Sequence, residues 1–203
     1  MINYYVNYTR GMSSLYPVML DLTDIRILIV GGGVVASRKA KPLVECGARV
    51  TVISPVVSDD MRAVGAAEII ERAYQPGDGA GFQLIMTATD VRSVNALVAE
   101  EARAAGQWVN SADDPDNCSF ILPALIRRGP VTIAVSTGGA SPSLAGWLRD
   151  RIGDSVGPEV GDAALELLAE RTALHEQGKT TEGIDWRPRI EQLLGAAKRP
   201  SPS

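Results

Sequence analysis

The 203-residue sequence predicts an α/β chain: a doubly wound parallel-sheet domain, then a small strand-containing region and a C-terminal helical region. Three observations predict it. The run Ile27-Leu28-Ile29-Val30-Gly31-Gly32-Gly33-Val34-Val35-Ala36-Ser37-Arg38-Lys39 joins an apolar strand to a glycine turn and then to a helix. Strand and helix patterns alternate from there to Asn110, as a sheet covered on both faces requires. Beyond Asn110 the alternation stops, and two strand-like runs are followed only by helices.

Tyr16 to Leu20 reads as a short strand and Asp21 to Arg26 as a turn. The four apolar residues Ile27 to Val30 suit a strand buried on both faces. Gly31 permits a sharp turn out of that strand, Gly33 removes a Cβ that would block a phosphate, and Ala36 lets the helix pack close to the sheet. The helix, Val34 to Cys46, aims unpaired backbone N–H groups and its positive dipole end at an anion. Arg49 to Ile53 is a second strand, which completes a βαβ unit of the Rossmann kind. A helix near Ser58 to Ala66, a strand near Glu68 to Arg72 and a loop at Gln75 to Gly81 follow. Leu84 to Asp90 is a buried strand ending in small polar residues. Val91 to Ala105 is a helix with Val94, Leu97, Val98 and Ala102 inward, and Trp108-Val109-Asn110 is the last strand. In such a sheet ligands gather at the carboxyl ends of the strands. Gly31 to Gly33, Ser54, Thr87, Thr89 and Asn110 to Asp113 all fall there.

At the end of the second strand, where folds that choose NAD commonly place Asp or Glu, stands Ser54-Pro55-Val56. The Ser54 hydroxyl can bond a ribose hydroxyl or a phosphate, and no arginine immediately follows, so this position leaves NAD and NADP both open. Arg49 is at the wrong end of its strand to substitute.

Phe120 to Ile126 and Val131 to Ser136 read as two strands joined through Arg127-Arg128-Gly129-Pro130. Two isolated strands are marginal, so they are expected to complete a sheet with another subunit. Ser143 to Ile152 is helical, with Ser141 as N-cap and Pro142 at the first helical position. The turn Ser136-Thr137-Gly138-Gly139-Ala140-Ser141-Pro142 is either a capped helix start or a second anion site. In the second case Arg127, Arg128, Arg149 and Arg151 would help receive a polycarboxylate. Pro158 to Gln177 is an amphipathic helix and Pro188 to Ala197 a shorter one. The boundaries expected are therefore 1–115 for the nucleotide domain, 116–152 for the dimerisation and substrate region, 153–197 for the helices and 198–203 for a disordered tail.

A formal charge of −4 argues against nucleic-acid binding, and no apolar run approaches the ~20 residues that span a bilayer. The first dozen residues lack the basic and apolar regions of a secretion signal, so a cytoplasmic location is expected. Cys46 and Cys118 read as buried or incidental thiols, His175 as a surface histidine, and no protein-built metal site is expected. Carbonyl reduction is disfavoured, because the sheet half has no histidine and the chain no Tyr-x-x-x-Lys pair. The strand ends carry acids instead: Asp90, Asp113, Asp114 and Asp116. Asp-Pro and Asp-Asn clusters ordinarily form turns. Asp113 is the exception, since it leaves its strand at the ligand edge and could take a proton while hydride leaves to NAD. Asp90 is expected to cap the following helix and Asp116 to be solvated.

The run Val30 to Lys39, the Ala88-Thr89-Asp90 strand end with Val94-Asn95, Val109-Asn110 leading to Asp113, Ser119-Phe120-Ile121 with Pro123-Ala124, and Ser136 to Pro142 together resemble the siroheme-biosynthesis family of precorrin-2 dehydrogenases and sirohydrochlorin ferrochelatases. The resemblance spans roughly Tyr16 to Ile152. It implies NAD-dependent oxidation of the tetrapyrrole precorrin-2 to sirohydrochlorin, in some members Fe²⁺ insertion, and a homodimer with interlocked middle strands. It also implies cofactor contacts at Val34, Val35, Pro55 and Val56, and assigns the aspartate used in both reactions to Asp113. The turn from Ser136 through Ser141 would then meet the substrate's carboxylates. The competing expectation is a nucleotide-sensing or tetrapyrrole-holding module without turnover.

Overall fold

The computed structural model describes residues 15–112 and 114–197. The chain forms two compact units that part between Ile121 and Leu122.

In the first unit β1 (Arg26–Val30), β2 (Arg49–Ile53), β3 (Glu68–Ile70), β4 (Leu84–Thr87) and β5 (Trp108–Ser111) make one parallel sheet in the order β3-β2-β1-β4-β5. Helix α1 (Val34–Glu45) connects β1 to β2, the single-turn α2 (Asp59–Arg62) follows β2, and α3 (Arg92–Ala104) connects β4 to β5. The strand order reverses between β1 and β4, where doubly wound sheets open their ligand crevice.

Alternate residues of the central strand serve opposite faces. Ile27 and Ile29 pack with Ala36, Ala40, Leu43, Val50, Val52 and Met61 on the α1 side. Leu28 and Val30 pack with Ile53, Ile85, Val98, Ala102 and Val109 on the α3 side. Full burial of each such aliphatic side chain is worth about 1.5–3 kcal/mol, which is why the sequence places no polar residue within Ile27 to Val30.

The second unit pairs β6 (Ala124–Arg128) antiparallel with β7 (Val131–Val135) through a Gly129-Pro130 turn. Helices α4 (Pro142–Gly153) and α5 (Glu159–Glu176) pack on this hairpin, and α6 (Arg187–Ala197) packs on α5. A Cβ on Gly161 would come within 2.6 Å of the Arg128 carbonyl oxygen, so only glycine lets α5 lie this close to the hairpin. Arg128 also donates from Nε to the Val156 carbonyl at 2.9 Å and from Nη2 to the Gly153 carbonyl at 3.3 Å, which closes the end of α4. Arg189 joins α6 to α5 through Glu166 and Glu170.

Four local expectations are corrected. Tyr16 to Leu20 is not a strand but an exposed segment without regular structure, which pairs with none of the five strands. The helix expected over Ser58 to Ala66 is shorter, ending in an Ala63 cap before the positive-φ Gly65, and β3 stops at Ile70. Asp90 does not cap α3: the cap position is Val91, with no side-chain cap bond. Asp114, at the cap position of the short helical turn Pro115–Asn117, accepts from Asn117 Nδ2 at 2.7 Å. Asp113 and residues 198–203 lie outside the described residues.

Candidate functional site

The loops leaving the carboxyl ends of the strands are laced together by backbone bonds. Gly31 N–H donates to the Ile53 carbonyl at 2.9 Å, Ala88 N–H to Val30 at 2.9 Å, Ala112 N–H to Thr87 at 2.9 Å, and Ser58 N–H to Gly32 at 2.9 Å. Each glycine of the turn has its own task. Gly31 has φ +125°, and a Cβ there would lie 2.4 Å from the Ala88 carbonyl oxygen. A Cβ on Gly32 would lie 2.3 Å from the Val56 carbonyl oxygen. A Cβ on Gly33 would meet nothing within 4 Å and would stand in open space at the start of α1.

That helix start is built to receive an anion. Gly33 occupies the cap position with no side-chain cap bond, and the first turn carries no acid. Val34 and Val35 are 46% and 52% exposed, so the backbone N–H groups at the positive end of the helix stand beside an open face. A pyrophosphate fits there in shape and charge. When bound, a nicotinamide dinucleotide supplies this edge of the sheet with a hydride acceptor.

On the β2 side, Pro55 and Val56 are exposed, whereas Ser54 is buried and its hydroxyl donates to the Val56 carbonyl at 2.7 Å. The Ser54 proton thus closes the turn beneath Gly32. On the β4 side, Thr87 is buried and donates to Ser111 Oγ at 3.0 Å, which links β4 to β5. Thr89 is locked by Asn95: its Oγ1 donates to Asn95 Oδ1 at 2.8 Å, and Asn95 Nδ2 returns a bond to the Thr89 carbonyl at 2.9 Å.

The sequence reading missed two groups at this edge. Lys39, half-buried on α1, donates to Asn110 Oδ1 at 2.7 Å, and Asn110 Nδ2 donates to the Phe120 carbonyl at 3.0 Å. The signal was present, since Lys39 lies three residues after buried Ala36 and one before buried Ala40, on the sheet-facing side of the helix. The second group is the Arg62–Glu71 pair at the end of β3. Cys118 accepts from Ser111 N–H at 3.2 Å, as a structural thiol.

In the second unit the Ser136 to Ser141 turn is held by its own hydroxyls. Thr137 Oγ1 donates to the Ser141 carbonyl and accepts from Ser141 N–H, each at 3.0 Å. Ser141 Oγ accepts from Leu144 N–H at 3.1 Å, the capped helix start that the Ser-Pro pair predicts. Gly138 and Gly139 have φ of 64° and 88°. Among the described residues no group of three His, Cys, Asp or Glu side chains could hold a metal ion, and no helix is long and apolar enough to cross a membrane.

An open glycine turn and an uncapped helix start at the switch point of a parallel sheet define a dinucleotide-binding protein. Residues 18–124 match a family described as NAD(P)-binding, and residues 128–155 match one described as the central part of a sirohaem biosynthesis protein. The chain belongs to the siroheme-biosynthesis family of NAD(P)-binding proteins. The siroheme synthase of Methylococcus capsulatus is 47% identical over 151 residues, which cover 73% of this chain and 32% of that one. Siroheme synthase 1 of Aeromonas salmonicida is 41% identical over 139 residues, covering 67% and 30%. The chain thus spans about a third of the length of the curated relatives it matches. The solved structure of SirC, precorrin-2 dehydrogenase, is 27% identical with a TM-score of 0.71, covering 91% of this chain and 90% of that chain.

Proposed function

We propose that this protein oxidises precorrin-2 to sirohydrochlorin with NAD as hydride acceptor, as a cytoplasmic homodimer. The observation that carries the reading is that the likeness to SirC extends through both units and does not stop with the dinucleotide domain. A nucleotide-sensing module would account for the first unit alone, and turnover separates the enzyme from a tetrapyrrole-holding module.

Gly31, Gly33, Val34 and Val35 hold the pyrophosphate at the start of α1, and Pro55 and Val56 flank the adenosine at the end of β2. Ser54 acts through the turn it closes. Thr87 and Thr89 shape the edge between the cofactor and β5. Asp113 accepts the proton that leaves the macrocycle as hydride departs, so the substrate loses two hydrogens and the cofactor gains one of them as hydride. Ser136, Thr137, Gly138, Gly139 and Ser141 form the turn that meets the carboxylates of the tetrapyrrole, through N–H groups suited to anions. The name of the siroheme synthase relatives extends the proposal to Fe²⁺ insertion, in which the macrocycle supplies the metal ligands and Asp113 takes pyrrole protons.

The test is absorbance of the protein mixed with precorrin-2 and NAD. Appearance of sirohydrochlorin with NADH is expected, and Asp113→Ala is expected to bind NAD normally while losing turnover. Spectra that change only through complex formation would return the protein to the binding-module class. Fe²⁺ or Co²⁺ added to sirohydrochlorin at the protein-free rate would remove metal insertion.

A further inference from the structure

The acid that selects NAD at the end of the second strand is missing from this chain, and the neighbouring strand offers a replacement. In the β2–β3 register Ile53 pairs with Ile70. Ser54 N–H then donates to the Ile70 carbonyl at 3.1 Å, which sets Glu71 as the next residue along the edge beside Ser54. Glu71 does not swing freely. Arg62, from the helix turn that follows β2, holds its carboxylate with Nη1 to Oε1 at 2.9 Å, while both side chains stay about half exposed, at 47% and 50%. The hydrogen bond and charge of Arg62 keep the Glu71 carboxyl below the usual range, so it is ionised at neutral pH.

We propose that Glu71, positioned by Arg62, is the specificity residue that favours NAD over NADP by taking the place of the absent acid at the adenosine ribose. The inference rests on the nucleotide-binding reading above. A carboxylate at this edge can accept from ribose hydroxyls, and it repels the two negative charges that a 2′-phosphate adds. The arginines at the same end of β3 are already committed. Arg62 is paired with Glu71, and Arg72 holds Asp78 in a two-pronged pair, Nη1 to Oδ2 at 2.6 Å and Nη2 to Oδ1 at 2.9 Å. A 2′-phosphate would have to draw an arginine away from a carboxylate to find a partner. Ser54 does not alter this balance, because its proton goes to the Val56 carbonyl.

The experiment measures dissociation constants of NAD and of NADP for the wild-type chain, Glu71→Gln and Arg62→Ala by calorimetry, with circular dichroism confirming the fold of each. The wild type is expected to bind NAD more tightly, and Glu71→Gln to shift the NAD-to-NADP affinity ratio toward NADP by about fivefold or more. Arg62→Ala is expected to leave NADP binding as weak or weaker. An unchanged ratio in Glu71→Gln overturns the inference, as does a wild type that prefers NADP and loses it in Arg62→Ala. A wild type that binds neither dinucleotide overturns the nucleotide reading itself, and so is told apart from those results.

Discussion

Lys39 Nζ lies 2.7 Å from Asn110 Oδ1, tying the second turn of α1 to the carboxyl end of β5. Asn110 is 6% exposed and also reaches the Phe120 carbonyl, so one amide joins the nucleotide helix, the last strand and the segment at Phe120. Replacing Lys39 by Met leaves a buried acceptor without this partner, which costs about 1–3 kcal/mol. Lys39→Met is expected to lower the urea midpoint by that amount. Turnover should fall about tenfold or more, because small displacements of reacting groups are expensive, while NAD affinity changes little. Equal stability and turnover in Lys39→Met would show that the link has no consequence.

The glycines of the turn separate folding from binding. Gly31→Ala places a Cβ 2.4 Å from a backbone oxygen at a φ of +125°, with no flexible side chain to give way. It is expected to destabilise by about 3 kcal/mol or more. Gly33 has φ −85°, and a Cβ there meets nothing. Gly33→Ala should therefore keep stability within about 0.5 kcal/mol while weakening NAD about tenfold, because the methyl occupies the anion's space. Thermal melts and calorimetry on both variants check the contrast, and it fails if Gly33→Ala unfolds or binds NAD normally.

The same contrast explains what could be read from residues alone. The four-residue apolar run and the glycine turn declare the sheet, its central strand and the helix start, because burial on both faces and close backbone approach leave few residue types possible. The Ser141-Pro142 pair likewise declares the start of α4. The sheet-facing position of Lys39 was legible in the spacing of α1, but its partner was not, since Asn110 lies 71 residues further along the chain; Glu71 meets Arg62 only once strand and helix are packed. The strand expected at Tyr16 to Leu20 failed for a related reason. Its composition suits a strand, but a strand also needs a partner, and the segment pairs with none of the five. Asp90 was a reasonable cap by type, yet Thr89 and Asn95 hold that loop instead.

Tyr74 gives the first unit an alkaline limit. Its hydroxyl donates to Glu101 Oε2 at 2.7 Å, and the same oxygen accepts from Gly77 N–H at 3.2 Å, which pins the loop after β3 to α3. Burial, and next the hydrogen bond to Glu101, push the phenol well above its ordinary value. A folded-state value above the unfolded one, near 10, contributes stability that is complete below about pH 10 and is lost as pH rises past it. Tyr74→Phe is expected to be less stable than wild type at pH 7 by about 0.5–1.5 kcal/mol. The gap should narrow and then reverse above pH 10, because only the wild type gains from ionising when unfolded. Urea midpoints at pH 7 and pH 11 decide this, and a gap that does not change with pH would contradict it.

The β6–β7 hairpin bears on the dimer. Ile126 is 5% exposed and faces the helices of its own unit, so Leu125, its neighbour, points to the other face. There Leu125 is 39% exposed opposite Ala134, which is also exposed. The same face carries the Arg127–Thr132 pair, so it is part apolar and part polar; a two-stranded sheet is marginal in water, and pairing with a second copy would cover that side. Light scattering of the wild type at micromolar concentration is expected to give twice the 21.5 kDa of one chain. Leu125→Lys is expected to give one chain mass with its circular dichroism retained, because the substitution sets like charges against each other across a two-fold axis. A wild type of single-chain mass would remove the homodimer. A dimeric Leu125→Lys would keep the dimer but move its interface away from this face, so the two measurements separate whether the chain pairs from where it does so.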